Sequence, residues 1–195
     1  MGGMAERGVR VSDPRVMRAL SHPARIEIVE YLSDTGKVVT ATECAEIVGL
    51  SPSATSYHLR ELAKYGLVEQ APSRGDGRER LWQAVASGLR IDPDFQEPAA
   101  NAAARALVDM YLTRELERTR EWFGQMDTET EEWRSVGTLR GNRLLVTPDE
   151  LKDLVERIVE LVDQYQIRDR QGSAPEGARA VVLNLTAYPE PNTKA

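Results

Sequence analysis

From Ser51 to Val68 the chain reads SPSATSYHLRELAKYGLV, a run the length of one helix that separates into two faces. At about 100° per residue, Ser53, Ser56, Tyr57, Arg60 and Lys64 form one polar stripe, and Thr55, Leu59 and Leu62 point the other way. His58 lies well off the stripe, at the flank of the apolar side. Small hydroxyls, a phenol and two cations make a poor ion-pair lattice. They suit phosphates and base edges.

The flanking pattern supplies a setting for that helix. Upstream, Thr40 to Gly49 predicts a short helix with Thr40 and Glu43 as a capping box and Gly49 as its stop. Ser51 then restarts the chain as an N-cap, with Pro52 in the first helical position. Two helices joined by a tight turn containing glycine predict a helix-turn-helix, whose second helix enters the major groove. Downstream, Gly66 ends the helix. Leu67–Ala71 and Arg80–Val85 predict two strands around Arg74-Gly75-Asp76-Gly77-Arg78. Arg74, Arg78 and Arg80 crowd the tip of that hairpin, which is suited to hold a DNA backbone or enter the minor groove.

Past residue 91 the pattern changes. Pro98 to Met126 predicts a helix about 40 Å long. It carries one apolar stripe through Ala103, Leu107 and Met110, and another through Leu112, Leu116, Phe123 and Met126 with Thr119 in the gap. Such a helix is expected to bury a face against a second copy of the chain, the alternative being packing within its own chain. The segment 127–132, DTETEE, reads as a solvated loop or helix start. Strands are expected at 133–139, 143–147 and 180–188. Between the last two, a helix begins at Thr147-Pro148-Asp149-Glu150 and buries Leu151, Leu154, Val155, Ile158, Leu161, Val162 and Tyr165, running to about residue 170.

The expected fold class is therefore mainly α with small β elements. Residues 1–11 form a disordered lead-in and 12–92 a winged helix-turn-helix domain. A long helix, expected to dimerise, occupies 93–126. A small α+β C-terminal domain follows at 127–188, with a tail at 189–195.

Composition adjusts this picture in three ways. The net charge is −6, which argues against a general nucleic-acid coat, yet residues 1–92 carry 12 basic and 12 acidic side chains while 93–195 carry 13 and 19. The acid thus sits outside the winged helix, and local clustering of Arg60, Lys64, Arg74, Arg78 and Arg80 governs binding because salt screens beyond about 10 Å. One cysteine excludes an intrachain disulfide framework and suits a reducing cytoplasm. No apolar run approaches the roughly 20 residues of a membrane span, and MGGMAERGVR has no signal-peptide core.

Ala19-Leu20-Ser21-His22-Pro23-Ala24-Arg25-Ile26-Glu27-Ile28-Val29-Glu30-Tyr31-Leu32, the helix-turn-helix and the arginine-rich hairpin together resemble the ArsR-type winged helix-turn-helix repressors. The resemblance covers about residues 12–90. It includes Ser56-Tyr57-His58-Leu59 in the place of the S-x-H-L signature and Gly66-Leu67-Val68 after it. It also extends loosely to longer regulators of this type with C-terminal extensions. What it implies is a cytoplasmic, homodimeric, sequence-specific transcription regulator, usually a repressor released by a ligand or metal. Double-stranded DNA carrying a palindromic operator would be the partner, and a small molecule not yet identified the effector. Ser51, Ser53, Ser56, Tyr57, Arg60 and Lys64 are the candidates to read or brace DNA in the major groove, with Arg74, Arg78 and Arg80 on the backbone. The S-x-H-L pattern leaves His58 a route to DNA as well.

The family's metal sites do not carry over. Its arsenic and cadmium sensors place a Cys-x-Cys pair where this chain has Val39-Thr40-Ala41-Thr42-Glu43, and Cys44 stands alone. One thiol cannot build a sulfur site within a chain. The zinc sensors use Asp/His pairs on a C-terminal helix, and there is no histidine after His58. His22, ahead of Pro23, reads as structural. No metal or cofactor is expected. Neither is an enzyme, since the chain lacks an H-E-x-x-H, a phosphate-cradling glycine loop and a nucleophile elbow. Tyr111, Trp122, Phe123, Trp133 and Tyr165 could line a ligand pocket, although aromatics at helical spacing are more often core. Two other readings stay open: a winged helix that binds protein, and a regulator whose C-terminal domain is the principal ligand-binding unit.

Overall fold

Several helices of this protein begin where a side chain able to cap precedes a proline. The computed structural model describes residues 9–73, 79–91 and 96–190. Asp13 accepts from the Arg15 amide ahead of α1 (Pro14–Leu20), and His22 accepts from the Ala24 amide ahead of α2 (Pro23–Thr35). Both prolines sit in the first turn, where no helical amide bond is lost. Thr40 and Glu43 form the expected reciprocal capping box on α3 (Ala41–Val48), and Ser51 caps α4 (Pro52–Lys64).

Two small sheets frame these helices. β1 (Val9–Val11) pairs in parallel with β5 (Leu89–Ile91), setting Val9 beside Leu89. In the other sheet β4 (Leu81–Ala84) lies between β2 (Val39–Thr40) and β3 (Val68–Ala71), antiparallel to both. Val11 is buried, so the lead-in expected at 1–11 gives way to structure by Val9, while residues 1–8 lie outside the described residues. Met17, Leu20, Ile28, Leu32, Leu59, Leu62, Leu67 and Trp82 form one core beneath the helices and the three-stranded sheet.

The core extends onto α5 (Pro98–Gly124), which lies against α1 through buried Ala100, Ala103, Ala104 and Leu107. Three alanines in a row on that face let the two backbones approach closely. An ion cluster ties α5 to α2 as well. Glu30 pairs with Arg114 and, at 3.7 Å, with Arg118, and Arg118 reaches buried Glu115 at 3.0 Å. Burial pushes the Glu30 carboxyl up from its ordinary value, and the two arginines pull it back.

One buried atom is out of keeping with this packing. Thr55, on the inner face of α4, has no exposure, and its hydroxyl has no hydrogen-bond partner among the described residues. Leaving a hydroxyl dry and unpaired costs about 1–3 kcal/mol. Thr55→Val keeps the shape and removes that cost, so urea unfolding is expected to show a gain of about 1 kcal/mol. A loss of that size would mean the hydroxyl has a partner.

Beyond α5 the sequence expectations need correcting. The helix stops at Gly124, two residues early, and Met126–Thr128 forms a single 3-10 turn. The strand expected at 133–139 is replaced by α6 (Glu131–Val136) and an irregular segment, because Thr130 accepts from the Trp133 amide and Glu131 and Glu132 favour the helix start. Gly137 then passes so close to Trp122 that an added Cβ would stand 2.0 Å from a ring carbon. Any larger residue there would have to displace the Trp122 ring.

The chain divides into two compact units, residues 1–141 and 142–195. The second holds α7 (Pro148–Asp163), opened by a Thr147–Glu150 capping box, and α8 (Ile167–Arg170). The one helix expected to run to about residue 170 is therefore broken at 164–166. The strands expected at 143–147 and 180–188 do not form, and none of the described residues of this unit is in a strand. A strand needs a hydrogen-bonded neighbour, and Leu145, Val181 and Val182 instead stand exposed on irregular chain. The small α+β domain is thus, among the described residues, helical. None of those residues is buried either. Leu151, Leu154, Val155, Ile158 and Val162 are half-buried, and Leu161 and Tyr165 are exposed. No described helix is long and apolar enough to cross a membrane.

Candidate nucleic-acid interface

The turn between α3 and α4 is set by a glycine and a capping serine. Gly49 adopts φ +64°, a left-handed conformation that costs glycine little, and it lets the Leu50 amide donate back to the Ala45 carbonyl at 3.1 Å. Leu50 leads directly to Ser51, whose Oγ accepts from the Ala54 amide at 3.3 Å. The chain has no slack between the two helices. Gly66, at φ +66°, then turns the chain out of α4 into β3.

Packing decides which face of α4 is left for a partner. Thr55, His58, Leu59 and Leu62 are buried, while Ser51, Ser53, Tyr57, Arg60 and Lys64 are exposed and Ser56 is half-buried. The six candidates from this region therefore share the outer side of α4 and its cap. They differ in freedom. The Ser51 and Ser53 hydroxyls lie 3.2 Å apart, and the Lys64 ammonium is paired with Glu61. That pairing lowers the Glu61 carboxylate and raises the Lys64 ammonium from their ordinary values. Among the described residues Arg60 has no ion-pair partner, so its guanidinium is available to an outside acceptor. Arg80 is exposed just ahead of β4. Arg74 and Arg78 lie outside the described residues, so the wing is seen through β3 and β4.

The apolar flank of α4 holds a contact that residue patterning did not single out. Arg25, from α2, donates through Nε to His58 Nδ1 at 3.4 Å and has its guanidinium carbon 6.0 Å from the centre of the Tyr57 ring. In sequence it is one charged residue on a helix that also carries Glu27, Glu30 and Asp34, so nothing there sets it apart. His58 is buried, as its place off the polar stripe suggested. Cys44 is fully buried in the core, and burial pushes its thiol up to about 11. Among the described residues no three His, Cys, Asp or Glu side chains gather to hold a metal.

Residues 22–70, which span α2 to β3, match the family model described as bacterial regulatory protein, arsR family. Over that stretch the chain is similar to the family. That description is of a regulatory protein, and α4 is the second helix of the helix-turn-helix within the matched residues. No curated protein matches the chain. Among solved structures it is similar to the homodimeric winged helix-turn-helix DNA-binding domain of Mb0332 from Mycobacterium bovis. That likeness has 23% identity over 53% of this chain and 81% of that one, with a TM-score of 0.33. It is also similar to the C30AH42A mutant of ZitR from Lactococcus lactis in its apo form, at 16% identity, 75% and 84% coverage and a TM-score of 0.33. YusO from Bacillus subtilis is another neighbour, at 13% identity, 77% and 83% coverage and a TM-score of 0.32.

Proposed function

We propose that this protein is an ArsR-type regulator that binds a palindromic operator as a homodimer in the cytoplasm, acting as a repressor that a small-molecule effector releases. The observation that carries the DNA-reading part is the outer face of α4. It presents Tyr57 and Arg60, which has no ion-pair partner among the described residues, flanked by serine hydroxyls, on a helix held rigid by a capped start and a buried inner face. Arg60 has the fork geometry to donate twice to a guanine edge, and Lys64 and Arg80 suit phosphates.

Dimerisation rests on the other side of α5. Away from its buried alanines, Leu112, Leu116 and Phe123 are exposed along a single stripe, with exposed Val108 at the stripe's edge nearer the alanines. A monomer rarely leaves such a stripe to water, and reading two half-sites requires two copies of α4.

Selection of bound duplexes from fragmented genomic DNA tests the proposal directly. Enriched fragments should share an inverted repeat with half-sites about one helical turn apart. On such a fragment, Arg60→Ala is expected to lose about 1–3 kcal/mol of binding while leaving the unfolding curve unchanged. A gel shift that neither Arg60→Ala nor Tyr57→Ala alters would remove α4 as the reader.

A further inference from the structure

Arg25 stands at the junction of three helices. Its Nη1 donates to the Ala19 carbonyl at the end of α1 (3.0 Å), and its Nε donates to His58 Nδ1 on α4 (3.4 Å). Its guanidinium also lies beside the Tyr57 ring. His58 meets Tyr57 edge-on, with ring centres 5.6 Å apart, and packs 4.5 Å from the ring of His22. His22 in turn accepts the Ala24 amide on its Nδ1 at 3.2 Å, which is the cap of α2. Both imidazoles therefore accept on Nδ1 and carry their proton on Nε2. Both are neutral.

We propose that Arg25 and His58 are positioning residues that hold Tyr57 and α4 in the DNA-reading attitude, and that protonation of His58 releases them. The proposal rests on α4 being the reading helix. A proton on His58 Nδ1 turns the acceptor into a donor facing the Arg25 donor, so the two must part. The same step sets a cation between a guanidinium and a second imidazole. Tyr57 then loses the packed neighbours on its inner side, while α1 and α2 lose the bridge that Arg25 makes between them and α4.

The charged surroundings work in one direction. Burial, His22 at the cap of α2 and Arg25 within it all act on His58, so its imidazole is held below the ordinary range. Burial and Arg25 do the same to His22. α1 contributes the Ala19 carbonyl, which occupies Arg25. On α4 itself, Glu61 interacts with Arg25 but is paired with Lys64. Among the described residues, α3 and β3 also pack on α4 and bring no titratable group that acts on His58. A histidine whose folded value is depressed contributes stability above its unfolded value of about 6.5, and that contribution is lost as pH falls through the lower folded value. The latch is therefore closed at neutral pH and opens in acid.

The test uses the full chain and a duplex that the wild-type protein itself enriches from a random-sequence pool at about pH 7.5. Wild-type affinity for this duplex is expected to fall about tenfold by about pH 5.5, the size of one unit of coupled titration. In His58→Asn the amide oxygen takes the place of Nδ1 and does not titrate, so the loss should be less than about twofold. Arg25→Met should bind weakly at both pH values, with the acid dependence gone. In parallel, the Tyr57 ring resonances of the DNA-free protein should follow the His58 titration in wild type and stay fixed in His58→Asn. Wild-type affinity that rises in acid would mean the histidines meet phosphates, and the proposal would be wrong. Tyr57 resonances indifferent to His58 protonation would overturn it as well. If the pool yields no enriched duplex, DNA reading by α4 fails, and the resonance measurement still decides whether the latch exists.

Discussion

Leu112→Asp combined with Leu116→Asp is expected to leave the protein monomeric, and to lower its affinity for a duplex with two half-sites by about 100-fold or more. Both leucines stand about half-exposed on the outer stripe of α5, between Val108 and Phe123. Neither takes part in the buried alanine face that holds α5 to α1, so the fold itself should survive. Two carboxylates facing their own copies across a two-fold axis would be desolvated and mutually repelled. Binding to a single half-site should barely change, because α4 and the wing are untouched. That split separates loss of the dimer from loss of the reader. Sedimentation at micromolar concentration reports the first and a half-site titration the second. A double variant that remains dimeric would move the interface elsewhere on the chain.

The parts of this fold that were legible in sequence are those written locally. A capping box, a serine ahead of a proline and a glycine stop lie within a few residues of the helix ends they govern, and α3, α4 and α7 begin where those signals fall. The two faces of α4 were equally legible, since Leu59 and Leu62 on one side and Tyr57 and Arg60 on the other follow from helical spacing alone. Pairing between distant segments was not. Val9–Val11 is too short to announce a strand, and it becomes one because Leu89–Ile91 runs beside it. The opposite holds at 180–188, where a run with the composition of a strand belongs to no strand among the described residues. Arg25 was out of reach for a related reason. Its contacts to Ala19, Tyr57 and His58 exist only once three helices have packed, and nothing in its own neighbourhood marks it.

Leu59→Ala is expected to cost about 2–5 kcal/mol in urea unfolding, the range for deleting a fully buried leucine. Leu59 has no exposure and belongs to the core that joins α4 to α3, α2, β3 and α1. Its neighbour Arg60 points outward, so adjacent positions on one helix should fail in opposite ways. Arg60→Ala keeps stability and loses the specific site. Leu59→Ala loses stability, and whatever fraction remains folded should still prefer the same sequence. Leu59→Met, which nearly conserves volume, should cost less than about 1.5 kcal/mol and bind as the wild type does. The comparison turns on rigidity. A reading helix discriminates bases only if its inner face fixes where the outer side chains stand, and close packing under Leu59 is what supplies that here. A cost below about 1 kcal/mol for Leu59→Ala would show that α4 is loosely seated, and Tyr57 and Arg60 would then need DNA itself to set their positions.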